Sequence, residues 1–163
     1  MSDLSIDFSR FCDRLKFHVS SDIILNNYLS SDYLWNSKFI RSKLCLAIGN
    51  YYQMEQETVC DIAVVSELIH NASLIHDDII DGDELRRNVP SIWKQHGKNN
   101  AILLGDLLIA KSFNIISNLE ISDSSKVVAV ELLSETISAL VKGVFHEINE
   151  DFKNQLYFND SYI

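Results

Sequence analysis

Residues 57–81 read ETVCDIAVVSELIHNASLIHDDIID and carry the longest strong helical pattern in the chain. Apolar residues occur on most sides of this pattern, as expected for a helix that is buried in the middle of a bundle. Gly82 follows directly, and glycine is the residue that most often ends an α-helix. The sequence therefore predicts a central buried helix from Glu57 to Asp81.

Three aspartates lie at the end of this predicted helix. Asp77 and Asp81 are four positions apart and share a helix face, with Asp78 beside them. Like charges at this spacing destabilise a helix by roughly 0.2–0.5 kcal/mol per pair, and a bound cation would remove that repulsion. The alternative is a solvated acidic helix end. The apolar neighbours Ile79 and Ile80 favour the first interpretation, because a carboxylate that lies unpaired against a core is costly.

The ligand types indicate which cation this site would bind. A calcium-binding EF-hand loop that began at Asp77 would place Gly82 correctly but would need Ile79 and Asn88 as ligands, so it fails. Carboxylate oxygens without histidine or cysteine suit Mg²⁺, which often joins a few carboxylates to substrate phosphates. We therefore predict Mg²⁺ as the cofactor. The predicted metal ligands are Asp77, Asp78 and Asp81.

Basic residues follow the aspartates at short distance. Arg86 and Arg87 come five and six residues after Asp81, and their guanidinium groups match the geometry of phosphate oxygens. They could equally form surface ion pairs with Asp83 and Glu84.

Two other features gain meaning only from their context. Lys38 and Arg41 form a small basic cluster on a separate predicted helix. His70 lies two turns before the aspartates on their face of the helix, although a lone histidine on a buried helix is more often a core residue than a ligand.

The rest of the sequence predicts an all-α helix bundle of one domain, residues 1–163. Apolar residues make up 47% of the chain, and there are only one proline and five glycines, which favours long helices over a β fold. A first helix begins near Leu4, a polar connection covers residues 30–32, and a charged loop covers residues 83–98. The other predicted helices are 22–29, 37–52 (with an apolar face of Ile40, Leu44, Ala47 and Ile48), 99–118 and 126–150, where the break at residues 122–125 supplies a cap; residues 151–163 lose periodicity.

Composition also limits the possible partners and location. The net charge of −9 gives nucleic-acid binding little support. The N-terminus lacks the apolar run of a signal peptide, and the longest apolar runs, 101–110 and 127–145, are interrupted by charged residues. We therefore expect a soluble, cytoplasmic protein without a transmembrane segment.

Several of these stretches together resemble one enzyme family. Residues 37–41 (SKFIR), 67–70 (ELIH) and 74–87 (LIHDDIIDGDELRR) are similar to motifs of the trans-type isoprenyl (polyprenyl) diphosphate synthases. Pro90-Ser91 and residues 102–106 (ILLGD) continue the resemblance.

The resemblance implies a helix bundle around a deep cavity and two substrate sites. Mg²⁺ on the three aspartates would bind an allylic diphosphate with help from Arg86, and the metal and arginines would stabilise the departing diphosphate, which is mainly electrostatic catalysis. The chain would be a homo- or hetero-oligomer. The site implied for isopentenyl diphosphate consists of Lys38, Arg41, His70 and Arg87.

The departures from the family pattern are also informative. Ser37 and Asn88 stand where the family usually has glycine, and Ser42 where it has proline. The family carries a second aspartate-rich motif on a later helix, and nothing after Asp81 matches it. We therefore expect the first half of the bundle, which would need a partner chain for the second motif. The alternative is a non-catalytic helical subunit that regulates or supports a prenyl synthase complex, although the retained basic residues argue against it.

Overall fold

The computed structural model describes residues 8–29, 31–35 and 37–149. These residues form eight helices and one small hairpin, and the all-α fold class is confirmed. The elements in chain order are α1 (Phe8–Ser20), α2 (Ile23–Tyr28), α3 (Ser31–Trp35), α4 (Ile40–Tyr51), α5 (Gln56–Asp81), β1 (Leu85–Arg86), β2 (Val89–Pro90), α6 (Ile92–His96), α7 (Lys98–Ser117) and α8 (Asp123–Ile148).

Helix α5 is the centre of the fold, and it packs against α7, α4 and α1. It begins after Glu55, whose carboxylate accepts hydrogen bonds from the backbone N–H groups of Glu57 and Thr58. It ends at Gly82, which adopts a left-handed conformation with φ of 72°. Its bounds differ from the predicted 57–81 by one residue, and both the buried helix and its glycine end are confirmed.

Small residues and one ion-pair network hold the neighbouring helices against α5. A Cβ atom on Gly49 would overlap Val59, and one on Gly105 would overlap the His76 ring, so α4 and α7 approach α5 more closely than larger residues would permit. Asp61 of α5 accepts hydrogen bonds from Arg14 and lies 2.9 Å from His18 Nε2, which ties α1 to the same helix.

The predicted apolar face of α4 is exposed rather than buried. Ile40, Leu44 and Ile48 are 66%, 60% and 48% exposed, whereas the side that faces α5 carries Ser42, Leu46 and Gly49. The small residues allow the close approach of α4 to α5 that leaves the apolar stripe outside. Helix α8 resembles α4 in this respect, because Leu133 is buried while large apolar side chains are exposed along its length; examples are Val128, Leu132, Val141 and Phe145.

The connections differ from the sequence prediction in two places. Ser31 and Asp32 begin the short helix α3, so the predicted polar connection at residues 30–32 is wrong for these two residues. The predicted loop 83–98 contains the β1–β2 hairpin and α6. The predicted cap within residues 122–125 is confirmed, since Ser122 Oγ accepts a hydrogen bond from the backbone N–H of Ser125. The predictions for Leu4 and residues 151–163 lie outside the described residues.

Two helices, α5 and α7, are long and apolar enough to cross a membrane by length and composition. This finding does not contradict the expectation that the chain has no transmembrane segment, which stays a prediction. In α5, however, 72% of the most apolar window is buried inside the fold, and in α7 the share is 39%. A buried core helix passes the same test, so length and hydropathy alone carry no further conclusion here.

Candidate active site

A cavity of about 570 Å³ lies where the start of α4, the middle of α5 and the hairpin turn meet. It brings together all four residues that the resemblance assigns to isopentenyl diphosphate, although they come from three separate segments of the chain. The complete lining is Trp35, Ser37, Lys38, Phe39, Ile40, Arg41, Glu67, His70, Arg87 and Asn88.

Left-handed backbone positions shape the cavity wall on two sides. Phe39, which precedes α4, has a φ of 52°, and Arg87 and Asn88 have φ values of 53° and 66°. Arg87 and Asn88 form the two-residue turn of the hairpin, in which Arg86 pairs with Val89, and positive φ at both positions is the type I′ geometry. Asparagine tolerates this conformation well, which explains how Asn88 replaces a glycine. Arginine does so less readily, and strained positions of this kind cluster at functional sites.

His70 is half-buried on the α5 side of the cavity. Burial lowers the pKa of its imidazole to about 4, and the positive charges of Arg41, Arg87 and Arg86 act in the same direction. His70 is therefore neutral near pH 7 and offers one hydrogen-bond donor and one acceptor. The three formal positive charges of the cavity come from Lys38, Arg41 and Arg87.

The three aspartates at the end of α5 differ in their exposure. Asp77 is half-buried and Asp81 is exposed. Burial raises the pKa of the Asp77 carboxyl, and the charge of Asp81 raises it further, while Arg86 opposes the shift. Glu147, in the last turn of α8, also raises the pKa of Asp77. The sequence gives no signal for Glu147, because only the packing of α8 brings its charge near the motif.

Asp78 lies in a different environment from the other two aspartates. It is 0% exposed, and its Oδ1 accepts a hydrogen bond from Arg86 Nε at 2.8 Å and a second one from Nη2 of the same residue. Burial raises the pKa of its carboxyl, and Arg86 opposes the shift. That Asp78 is a metal ligand together with Asp77 and Asp81 stays a prediction. In this structure Asp78 binds Arg86, which in turn lies 3.9 Å from Asp83.

Tyr33 was not predicted as part of this region. It is 3% exposed, and burial followed by the charge of Asp78 raises the pKa of its phenol above the ordinary value. It belongs to α3, directly after the predicted polar connection at residues 30–32.

His76, directly before the aspartates, connects α5 with α7. Its Nε2 lies 3.3 Å from the carbonyl oxygen of Ile102 and 3.7 Å from Asp106 Oδ1, both on α7. It is therefore a packing contact between α5 and α7.

The acidic end fits Mg²⁺ in part. Asp77 and Asp81 supply hard carboxylate oxygens, and the charge of Asp81 adds to burial in raising the pKa of Asp77. Across residues 8–29, 31–35 and 37–149, no group of three or more histidine, cysteine or acidic side chains is close enough to hold a metal ion. Asp77 and Asp81 could therefore hold a metal ion only together with water, substrate or further ligands.

Comparisons with known proteins place this chain among prenyl synthases by similarity. A family described as polyprenyl synthetase matches residues 25–163. The chain is 32% identical over 136 residues to geranylgeranyl diphosphate synthase of Methanosarcina mazei, which covers 82% of this chain and 41% of that protein. It is 36% identical over 133 residues to farnesyl diphosphate synthase of Escherichia coli, covering 80% of this chain and 44% of that protein.

A solved structure gives the same result. Geranylgeranyl pyrophosphate synthetase from Pyrococcus horikoshii matches with a TM-score of 0.77 and 27% identity over 93% of this chain and 46% of that chain. The chain thus spans less than half the length of each of these three proteins.

Proposed function

We propose a role in prenyl transfer for this chain, because the chain belongs to the polyprenyl synthetase family. In this proposal it binds isopentenyl diphosphate in the basic cavity and an allylic diphosphate, with Mg²⁺, at the acidic end of α5. The observation that carries the proposal is the cavity itself, which collects Lys38, Arg41, His70 and Arg87 from three segments.

The charges of the cavity suit a diphosphate. Its three cations would neutralise the phosphate oxygens, and the guanidinium groups can each donate two hydrogen bonds to them. His70 is neutral, because the pKa of its imidazole is about 4, so it can bind a phosphate oxygen or the substrate ester without adding charge. These residues would hold isopentenyl diphosphate without needing a metal ion.

The acidic end would bind the second substrate differently. Asp77 and Asp81 would hold Mg²⁺, which when bound supplies the positive charge that neutralises a leaving diphosphate. Asp78 would keep Arg86 in place, since it accepts two hydrogen bonds from that guanidinium. The allylic carbon–oxygen bond would break with its electron pair leaving on the diphosphate. The double bond of isopentenyl diphosphate would attack the allylic carbon, and the resulting cation would lose a proton to the departed diphosphate.

We also propose that further helices complete this site. Large apolar side chains are exposed on α4 and along α8, and exposed apolar surface of this extent marks an interaction surface. The covering helices would bring the second set of carboxylates, either on a partner chain or on additional sequence of the same polypeptide. The same apolar surface also supports the second candidate function, a non-catalytic subunit that binds an intact prenyl synthase.

The first test is ligand binding at the acidic end. Geranyl diphosphate, an allylic diphosphate, is titrated into the 163-residue chain with and without Mg²⁺. We expect Asp77→Ala and Asp81→Ala to abolish the Mg²⁺-dependent part of the binding. Asp13→Ala, which removes an exposed carboxylate on α1, is the matched control and should bind as the unchanged chain does. Unchanged affinity in both of the first two variants would count against the metal role.

The second test is catalysis. The purified chain is incubated with Mg²⁺, geranyl diphosphate and labelled isopentenyl diphosphate, and we expect little or no elongated product. Robust product from the single chain would overturn the need for additional helices. Binding of neither diphosphate, together with tight association with an intact synthase, would favour the non-catalytic subunit.

A further inference from the structure

One acidic side chain lies in the wall of the basic cavity. Glu67 is 1% exposed, and it lines the cavity together with the cations. A carboxylate next to a diphosphate would weaken binding by repulsion, so direct contact with the substrate does not explain its position. Its partner gives a better explanation.

Glu67 is hydrogen-bonded to Ser42 in the first turn of α4. The Ser42 hydroxyl donates to Glu67 Oε1 at 2.6 Å, and the Ser42 backbone N–H lies 3.4 Å from the same oxygen. Ser42 is 0% exposed. Hydrogen bonds to a charged group in such a buried place are stronger than ordinary ones.

Helix α4 has no acceptor of its own at this end. The residue at its N-cap is Phe39, which has a left-handed backbone and no side chain that could accept a hydrogen bond. The first N–H groups of a helix need acceptors, and Glu67 supplies one from α5, 25 residues away in the chain. Near the other end of α4, Gly49 packs closely against Val59 of α5.

The first turn of α4 also carries the cavity cations. Arg41 directly precedes Ser42, Lys38 lies just before the helix, and His70 lies one turn after Glu67 on α5. We propose that Glu67, acting through Ser42, is a positioning residue that fixes Lys38 and Arg41 opposite Arg87 for diphosphate binding. This inference rests on the proposed function of the cavity.

Glu67 Oε2 agrees with this role. It is buried and has no hydrogen-bond partner among the described residues. A carboxylate that only stabilised the fold would be expected to have both oxygens bonded.

The test separates positioning from simple electrostatics by the sign of the effect. Isopentenyl diphosphate is titrated by calorimetry into the 163-residue chain and its variants. If Glu67 acts only through its charge, Glu67→Leu should bind the anion more tightly. If it positions α4, Glu67→Leu should bind about tenfold more weakly, and Glu67→Gln, which retains an oxygen acceptor, should remain within about threefold of the unchanged chain.

A double-mutant cycle tests whether Ser42 and Glu67 act as one unit. We expect Ser42→Ala to weaken binding about tenfold, and Ser42→Ala with Glu67→Leu to be no weaker than Glu67→Leu alone. Ser112→Ala is the matched control, because Ser112 is also 0% exposed and donates to Leu108 within α7, away from the cavity. Additive losses, or unchanged affinity in Ser42→Ala, would overturn the inference. If Ser42→Ala does not fold, Ser42→Cys, with its weak S–H donor, should show a smaller loss of the same kind.

One further variant separates this inference from the proposed function. Arg87→Ala removes a cavity cation without touching the contact between Ser42 and Glu67. If Arg87→Ala binds as the unchanged chain does, the cavity is not the ligand site and both proposals fail. If Arg87→Ala loses affinity while Ser42→Ala and Glu67→Leu do not, only the positioning role fails.

Discussion

The basic cavity and the acidic end of α5 lie on the same central helix but shift the pKa of their ionisable groups in opposite directions. In the cavity, burial and the nearby arginines lower the pKa of His70 to about 4. At the acidic end, burial and the neighbouring carboxylates raise the pKa of Asp77. Burial disfavours the charged form of both groups, and the neighbouring like charges add to this effect. An anion should therefore relieve the cavity, and a cation should relieve the acidic end.

The largest expected effect is the titration of His70. Its ring signals, followed by NMR, should change with a midpoint near pH 4 rather than at the ordinary value of about 6.5. Because the unfolded chain takes up this proton at higher pH, the free energy of unfolding should decrease as the pH falls from about 6.5 to 4. Isopentenyl diphosphate should raise this midpoint, and Arg41→Ala should raise it in the empty cavity. A midpoint near 6.5 would contradict the claim that the cavity disfavours the charged form of His70.

The second effect is a difference between Asp78 and Asp81 in their contributions to the free energy of unfolding. Asp78→Ala leaves Arg86 without its buried partner and should lower the free energy of unfolding by about 2 kcal/mol, less than for a fully buried pair because Arg86 is 25% exposed. Asp81→Ala should change it by less than about 0.5 kcal/mol, since the residue is exposed. Urea unfolding monitored by circular dichroism measures both. Equal losses of unfolding free energy in the two variants would mean that the contact between Asp78 and Arg86 adds no stability of its own.

The third effect is at Arg87, where one substitution should change ligand binding and stability in opposite directions. Arg87→Asn should weaken the binding of isopentenyl diphosphate about tenfold, while stability rises by about 0.5–1 kcal/mol because asparagine tolerates the left-handed turn. Gln53→Asn is the control: Gln53 also has a φ of 52° but does not line the cavity, so it should gain similar stability at unchanged affinity. A loss of stability in Arg87→Asn would argue against strain at this position.

The smallest effect concerns the repulsion between carboxylates. Asp77→Asn should raise the free energy of unfolding in EDTA at pH 7 by roughly 0.2–0.5 kcal/mol, because it removes a like charge from the Asp81 neighbourhood. The raised pKa of Asp77 means that the folded state gains stability as the pH falls and this carboxyl is protonated. Thermal unfolding with and without Mg²⁺ is the measurement, with Asp13→Asn as the control. A destabilised Asp77→Asn would contradict the repulsion.

The sequence was most informative where local patterns decide the structure. The apolar pattern and Gly82 placed the central helix to within one residue. Asp22 accepts hydrogen bonds from the backbone of Ile24 and Leu25 at the start of α2, close to the predicted start of that helix. Such signals depend on spacing and on caps within a few residues.

Tertiary contacts decided the features that the sequence could not predict. A helical pattern places Asp78 beside Asp77, but the Asp78 carboxylate is buried and accepts hydrogen bonds from Arg86. The exposed stripe of α4 was misassigned because the face that packs is set by Gly49 and Ser42, not by the largest apolar residues. The assembly of the cavity from three segments came from the resemblance, since no local pattern contains it.

The most direct test of the account is the titration of isopentenyl diphosphate into the 163-residue chain in EDTA. The account predicts saturable binding at one site without any metal ion, weakened by salt as the phosphate contacts are screened. It also predicts that Lys38→Ala weakens this binding. No binding until Mg²⁺ is added, or equal binding by the chain and the Lys38→Ala variant, would contradict the claim that the cavity is the metal-independent diphosphate site.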